Sequence, residues 1–153
     1  MQPLERNPGI EADLAERMAA TDFYQWSGIA LEAASEGEVE LSLNAAANHM
    51  NLQGVLHGGM IATLADTATG LAVRTVLEPD TRCVTVQLSV NFLSGGKPGR
   101  VVARGRVVRA GRQIAYAEAD IIDGEDRLLA RAQSSMAIIA ERDDASDPQA
   151  GGE

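Results

Sequence analysis

A chain of 153 residues fits one domain and can bury roughly two thirds of its unfolded surface, and a composition of 45% hydrophobic but only 3% aromatic residues leaves Val, Leu, Ile and Ala to build the core. A formal charge of −9 excludes a nucleic-acid partner, because affinity for a phosphate polymer rests on clustered Lys and Arg. The single cysteine, Cys83, cannot close an internal disulfide, no secretory signal opens the chain, and the longest apolar stretch is broken by Thr63, Asp66 and Thr67 short of the roughly 20 residues of a bilayer span, so the expected home is the cytoplasm, with no membrane partner.

Residues 1–9, "MQPLERNPG", carry two prolines and read as a flexible lead-in. Ile10, Leu14, Ala15 and Met18 then recur at helical spacing, which predicts a short amphipathic helix over 10–20. From Gly28 the period becomes two: Val39, Leu41 and Leu43 stand between Glu38, Glu40 and Ser42, so strands are expected near 28–35 and 37–43 with a turn at Glu36-Gly37. Residues 44–58 have no period and read as a loop. Residues 59–77 read as a long helix with Ile61, Leu64, Ala68 and Leu71 on one face.

Four strand-like runs follow. In "VTVQLSVNF" the residues Val84, Val86, Leu88, Val90 and Phe92 alternate with the uncharged polar set Thr85, Gln87, Ser89 and Asn91. The other three, near 100–109, 113–122 and 127–139, are divided by "AGR" and "DGED" and predict an antiparallel meander. The acidic tail at 141–153 lacks apolar periodicity and reads as disordered, which leaves a single domain at 10–140. One long helix and six mainly antiparallel strands define an α+β protein whose sheet wraps the helix.

Within that helix Asp66 lies roughly opposite the apolar stripe, among the small uncharged residues Ala62, Thr63, Thr69 and Gly70. Two readings stand: a solvated helix charge, or a face of small residues that a ligand or another surface approaches closely. The helix opens on His57-Gly58-Gly59, where unpaired N–H groups and the positive end of the helix dipole suit an oxygen that carries negative charge; the same glycines also suit a tight turn. His49 and His57 have no companion Cys or helix-spaced Glu, so no metal site is expected. No G-x-S-x-G occurs, and Ser134-Ser135 falls in a strand, which argues against a serine hydrolase.

The stretch "NLQGVLHGGMIATLAD" closely resembles the signature of hotdog-fold acyl-CoA thioesterases of the phenylacetic-acid-degradation type. The resemblance extends upstream to "FYQWSGIAL", where Trp26-Ser27 departs from the family's pattern, and downstream through "VTVQLSVNFLSGGKPG" and "AGRQIAYAEADIID", covering about residues 10–139. It implies a hotdog fold, a long helix gripped by a curved six-stranded sheet, in a homodimer or dimer of dimers whose subunits share each site. It implies an enzyme that hydrolyses the thioester of an acyl- or aryl-CoA, with no cofactor, since coenzyme A arrives as part of the substrate.

By the same resemblance, the Gly58 N–H donates to the thioester oxygen, and Asp66, from the neighbouring subunit, is the general base for water or the nucleophile. Asn51 places the water or the carbonyl, His57 orients the loop or contacts the leaving thiolate, and Thr85 matches the family's Ser or Thr near the nucleophilic water. Cations for the coenzyme A half would come from surface loops, where Lys97, Arg100, Arg109 and Arg112 are available as candidates. Two rival readings use the same fold. An acyl-CoA hydratase or dehydratase spaces its His and acidic residue differently. A non-catalytic acyl-CoA-binding sensor is expected to carry an output domain, for which the residues ahead of the fold are too few.

Overall fold

The computed structural model describes residues 4–140, so the tail at 141–153 and the first three residues of the lead-in lie outside the described residues. Helix α1 (Pro8–Ala19) starts two residues earlier than its apolar spacing predicts. Asn7 is the reason: its side-chain oxygen accepts from the N–H groups of Gly9 at 3.1 Å and Ile10 at 3.3 Å, and Pro8 follows where a missing N–H costs nothing. A second helix, α2 (Asp22–Ser27), is too short for periodicity to reveal and ends at Gly28, whose φ of 72° suits glycine.

Strands β1 (Ile29–Ser35) and β2 (Glu38–Ala45) form the expected hairpin, with Gly37 in its turn at φ 79°. The stretch read as loop contains the end of β2, a 3-10 turn at Ala47–His49 and an isolated bridge between Met50 and Leu56. Helix α3 (Gly58–Arg74) follows and ends three residues before the expected limit. The remaining strands are β3 (Thr81–Phe92), β4 (Gly99–Ala110), β5 (Ile114–Asp123) and β6 (Leu128–Ala140).

All six strands join one antiparallel sheet in the order β1-β2-β4-β5-β6-β3. The meander β4-β5-β6 is as the turn signals predict. Strand β3 departs from chain order: it crosses to the far edge and pairs with β6, leaving β2 to pair with β4. Helix α3 lies against the sheet, and this is the hotdog arrangement. No helix among the described residues is long and apolar enough to cross a membrane.

The buried stripe of α3 runs through Ile61, Leu64, Ala65, Ala68, Ala72 and Val73, with Leu71 only half-buried. Its partners are strand residues such as Leu41, Ala103, Ile121 and Ala132. The spacing between helix and sheet is set where Ala68 crosses Gly105 of β4. A Cβ on Gly105 would lie 2.5 Å from the Ala68 carbonyl carbon and closer still to its oxygen, so only glycine fits.

The alternation in β3 does not survive intact. A register shift between Thr85 and Gln87 marks a β-bulge, and the inward face changes phase there. Before it, Cys83 and Thr85 face the helix while Val84 (44% exposed) and Val86 (60%) face out; after it, Leu88 and Val90 turn in, and Gln87, Ser89 and Asn91 turn out. The uncharged polar set expected to share one face is therefore split, with Thr85 alone on the helix side. Because β3 is a sheet edge, these exposed valines lie along a strand with no partner on its free side among the described residues.

Replacing Gly105 with Ala is expected to cost about 3 kcal/mol, at the upper end of the range for overpacking, measured by urea denaturation. Ala68→Gly in the same chain should not rescue it, because the clash is with backbone.

Candidate active site

Asp66 sits on α3 facing β3, half-buried, in a cavity of about 520 Å³ whose walls include Tyr24, Thr63, Thr67, Gly70 and Thr85. The Thr85 hydroxyl donates to Asp66 Oδ1 at 2.8 Å. The bulge makes this contact possible, since in unbroken phase Thr85 would share the outer face with Gln87. One carboxylate oxygen is thereby held, and Oδ2 accepts no hydrogen bond from the described residues. Tyr24 of α2 lies near enough that burial, and then the Asp66 charge, push its phenol pKa up, which keeps it a neutral hydrogen-bond donor. The same two causes, burial first, push up the Cys83 thiol, with a backbone hydrogen bond and then Arg74 opposing.

The other three expected site residues gather at the N-terminus of α3. Asn51, His57 and Gly58 line a second cavity of about 530 Å³. His57 is the helix cap, its Nδ1 accepting from the Gly59 N–H at 2.8 Å, which places the ring proton on Nε2. With Gly59 taken, the Gly58 N–H makes no hydrogen bond within the described residues and stands free at the positive end of the helix. Asn51 braces the approach: its Oδ1 accepts from the N–H groups of Gln53 at 2.9 Å and Val55 at 3.2 Å. Its amide nitrogen remains as a donor, so Asn51 can offer a hydrogen bond here but not accept one.

The chain thus forms two half-sites. Gly58 and Asp66 are eight residues apart on one helix, about 12 Å along its axis, too far for both to act on one carbonyl within a single chain. The first half presents a carboxylate, the second an unbonded N–H at the positive end of a helix. His49 is structural, its Nδ1 accepting from the Ala46 N–H at 3.0 Å. No cluster of three or more His, Cys, Asp or Glu that could hold a metal occurs among the described residues. Lys97, Arg100, Arg109 and Arg112 line neither cavity, and Arg100 pairs with Glu32 at 3.1 Å. Sequence reasoning missed Tyr24, which could have been found only by knowing that α2 brings it to the cavity beside Asp66.

Known proteins match this architecture. The family model of the thioesterase superfamily matches residues 53–130. A Halobacterium salinarum protein whose name proposes an esterase is 36% identical over 128 residues, 76% of this chain and 83% of its own. The Escherichia coli PaaI protein from the phenylacetic acid degradation operon, 21% identical, has the same fold with a TM-score of 0.79, covering 87% of this chain and 96% of that one. A Streptococcus mutans protein solved bound to acetyl CoA is 27% identical, with a TM-score of 0.69 over 74% of this chain and 90% of its own.

Because His57 caps α3 through Nδ1, His57→Ala should lower stability by about 1 kcal/mol in urea denaturation, while His57→Asn, which keeps a capping acceptor, should restore most of it.

Proposed function

We propose, from the premise that this chain belongs to the thioesterase superfamily and is a thioester hydrolase, that it cleaves an acyl- or aryl-CoA to the free acid and coenzyme A with water activated at Asp66. The observation that carries this reading is the half-buried Asp66 carboxylate with one oxygen fixed by Thr85 and the other open to a cavity. The Streptococcus mutans relative, solved with acetyl CoA bound, supports the same class of ligand.

The chemistry proceeds in two bond exchanges. Asp66 takes a proton from water as the water oxygen bonds to the thioester carbonyl carbon, and the carbonyl oxygen gains negative charge. The free Gly58 N–H of a second copy donates to that oxygen, with the positive end of its helix behind it. The intermediate then collapses, the carbon–sulfur bond breaks, and the thiolate leaves to be protonated as coenzyme A thiol. Asn51, a donor only, steadies the carbonyl or the water beside Gly58. His57 keeps Gly59 occupied, so that Gly58 presents the donor. No cofactor enters, because base, oxyanion donor and water complete the hydrolysis.

The separation of the half-sites is the reason a second copy is required in this reading. Two α3 helices set side by side and antiparallel bring the N-terminus of one to the middle of the other. The open edge of β3, with Val84, Val86 and Phe92 exposed beside it, supplies apolar surface to join two subunits into a dimer, which can pair again as a dimer of dimers. A lone, half-buried Cys83 suits the reducing cytoplasm as its place of work.

Asp66→Asn keeps shape and removes the proton acceptor, so kcat, followed by release of free thiol from acyl-CoA, should fall by about 10² to 10⁴ with KM much less changed. A folded variant at wild-type rate would return Asp66 to an ordinary helix charge. Mixing subunits tests the sharing: dimers of Asp66→Asn with Asn51→Ala should regain one intact site and exceed either parent, whereas sites built within one chain would show no gain.

A further inference from the structure

The cavity that holds Asp66 is also lined by Arg17 of α1, Arg74 of α3 and Arg82 of β3, three guanidinium groups from three separate elements. Asp66 is the only carboxylate among its lining residues. In a protein of net charge −9, that lining is a local excess of cations, which favours an approaching anion. Arg17 pairs with Asp13 at 2.9 Å on α1. Arg74 is half-buried and donates to the Thr81 carbonyl, and neither it nor the exposed Arg82 has a carboxylate partner among the described residues. Two arginines elsewhere on the sheet do have one, Arg104 with Glu40 and Arg131 with Asp120.

We infer that Arg17, Arg74 and Arg82 form the subsite that takes the phosphate groups of the coenzyme A half of the substrate. The inference rests on the reading of Asp66 as the centre of thioester hydrolysis. Reach agrees with it: Arg74 lies eight residues from Asp66, about 12 Å along α3, and the amide-linked arm between the thioester sulfur and the first phosphate spans about 15 Å when extended. The arm is uncharged and partly apolar. Phe23, 41% exposed and packed edge-on against Tyr24 with ring centroids 5.5 Å apart, gives it a wall to lie along. Arginine suits the far end, since its planar donors match phosphate oxygens in pairs. Exposure of Arg17 and Arg82 fits a group that stays at the mouth in contact with water.

The test uses the full chain. Binding of coenzyme A alone, followed by calorimetry, should weaken about tenfold in Arg82→Gln and in Arg74→Gln, and added salt should weaken wild-type binding more steeply than variant binding. Arg82 is exposed and its side chain makes no hydrogen bond to the described residues, so its variant should melt at the wild-type temperature and separates binding from folding. In turnover, the ratio of kcat/KM for hexanoyl-CoA to that for hexanoyl N-acetylcysteamine, which has no phosphate, should fall by a similar factor. Coenzyme A binding unchanged in both variants overturns the inference, and so does wild-type protein that binds no coenzyme A. A penalty seen with adipoyl-CoA, whose acyl end is a carboxylate, but not with hexanoyl-CoA also overturns it, in favour of a cluster that reads the acyl group. Wild-type protein that binds coenzyme A through these arginines yet hydrolyses neither thioester supports the subsite and sinks the reading of Asp66 instead.

Discussion

Backbone meets backbone where Ala68 of α3 crosses Gly105 of β4 without room for a single extra carbon. That contact fixes the height of the helix above the sheet. A helix held off by even one methyl group would lose the dispersion contacts that Leu64, Ala65 and Ala72 make with the strands beneath. It would also lift Asp66 from β3, and a hydrogen bond of 2.8 Å to Thr85 does not survive a shift of that size. The small residues of α3 therefore serve packing and chemistry together: alanines on the lower face let the helix sit close, and threonines and glycine on the upper face leave space around the carboxylate.

A second constraint works at the sheet edge. The bulge in β3 uses one residue to change phase, and both of its consequences bear on the site. Inward, it turns Thr85 to Asp66. Outward, it leaves Val84 and Val86 exposed on a strand whose free edge is unpaired. An edge that carries exposed apolar residues is a hazard for a monomer and an asset for a subunit, and the hydrolase reading needs a subunit, because the helix N-terminus that carries the free N–H lies about 12 Å from the carboxylate of its own chain.

Charge is distributed with the same economy of purpose. On the strands, Glu40, Arg104, Asp120 and Arg131 follow one another in register across β2, β4, β5 and β6, with Arg104–Glu40 at 2.7 Å and Arg131–Asp120 at 2.6 Å. Each such pair contributes little to stability, roughly 0 to 1 kcal/mol where exposed, but the row commits its arginines to neighbouring carboxylates. Of the arginines around the Asp66 cavity, Arg74 and Arg82 have no carboxylate partner among the described residues, and they are placed to meet an anionic ligand.

Much of this was legible in the residues. The period-two run through Val39, Leu41 and Leu43, the hairpin at Glu36-Gly37 and the meander of the last three strands follow from alternation and turn chemistry, which are local. So does α3, whose opening His57-Gly58-Gly59 and small upper face marked both its start and its unusual carboxylate, and the resemblance carried by residues 51–66 pointed to the hotdog fold and a thioesterase. Local rules could not place β3 beside β6, since pairing across the sheet depends on which edge remains open once β2 has taken β4. Nor could they find the bulge: alternation in "VTVQLSVNF" is unbroken as text, and only the curved sheet, fitting itself to the helix, forces the extra residue that turns Thr85 inward. Tyr24, Arg17, Arg74 and Arg82 were out of reach for the same reason. They lie on four elements with no shared period, and it is the packing of α1, α2 and β3 around α3 that makes them neighbours.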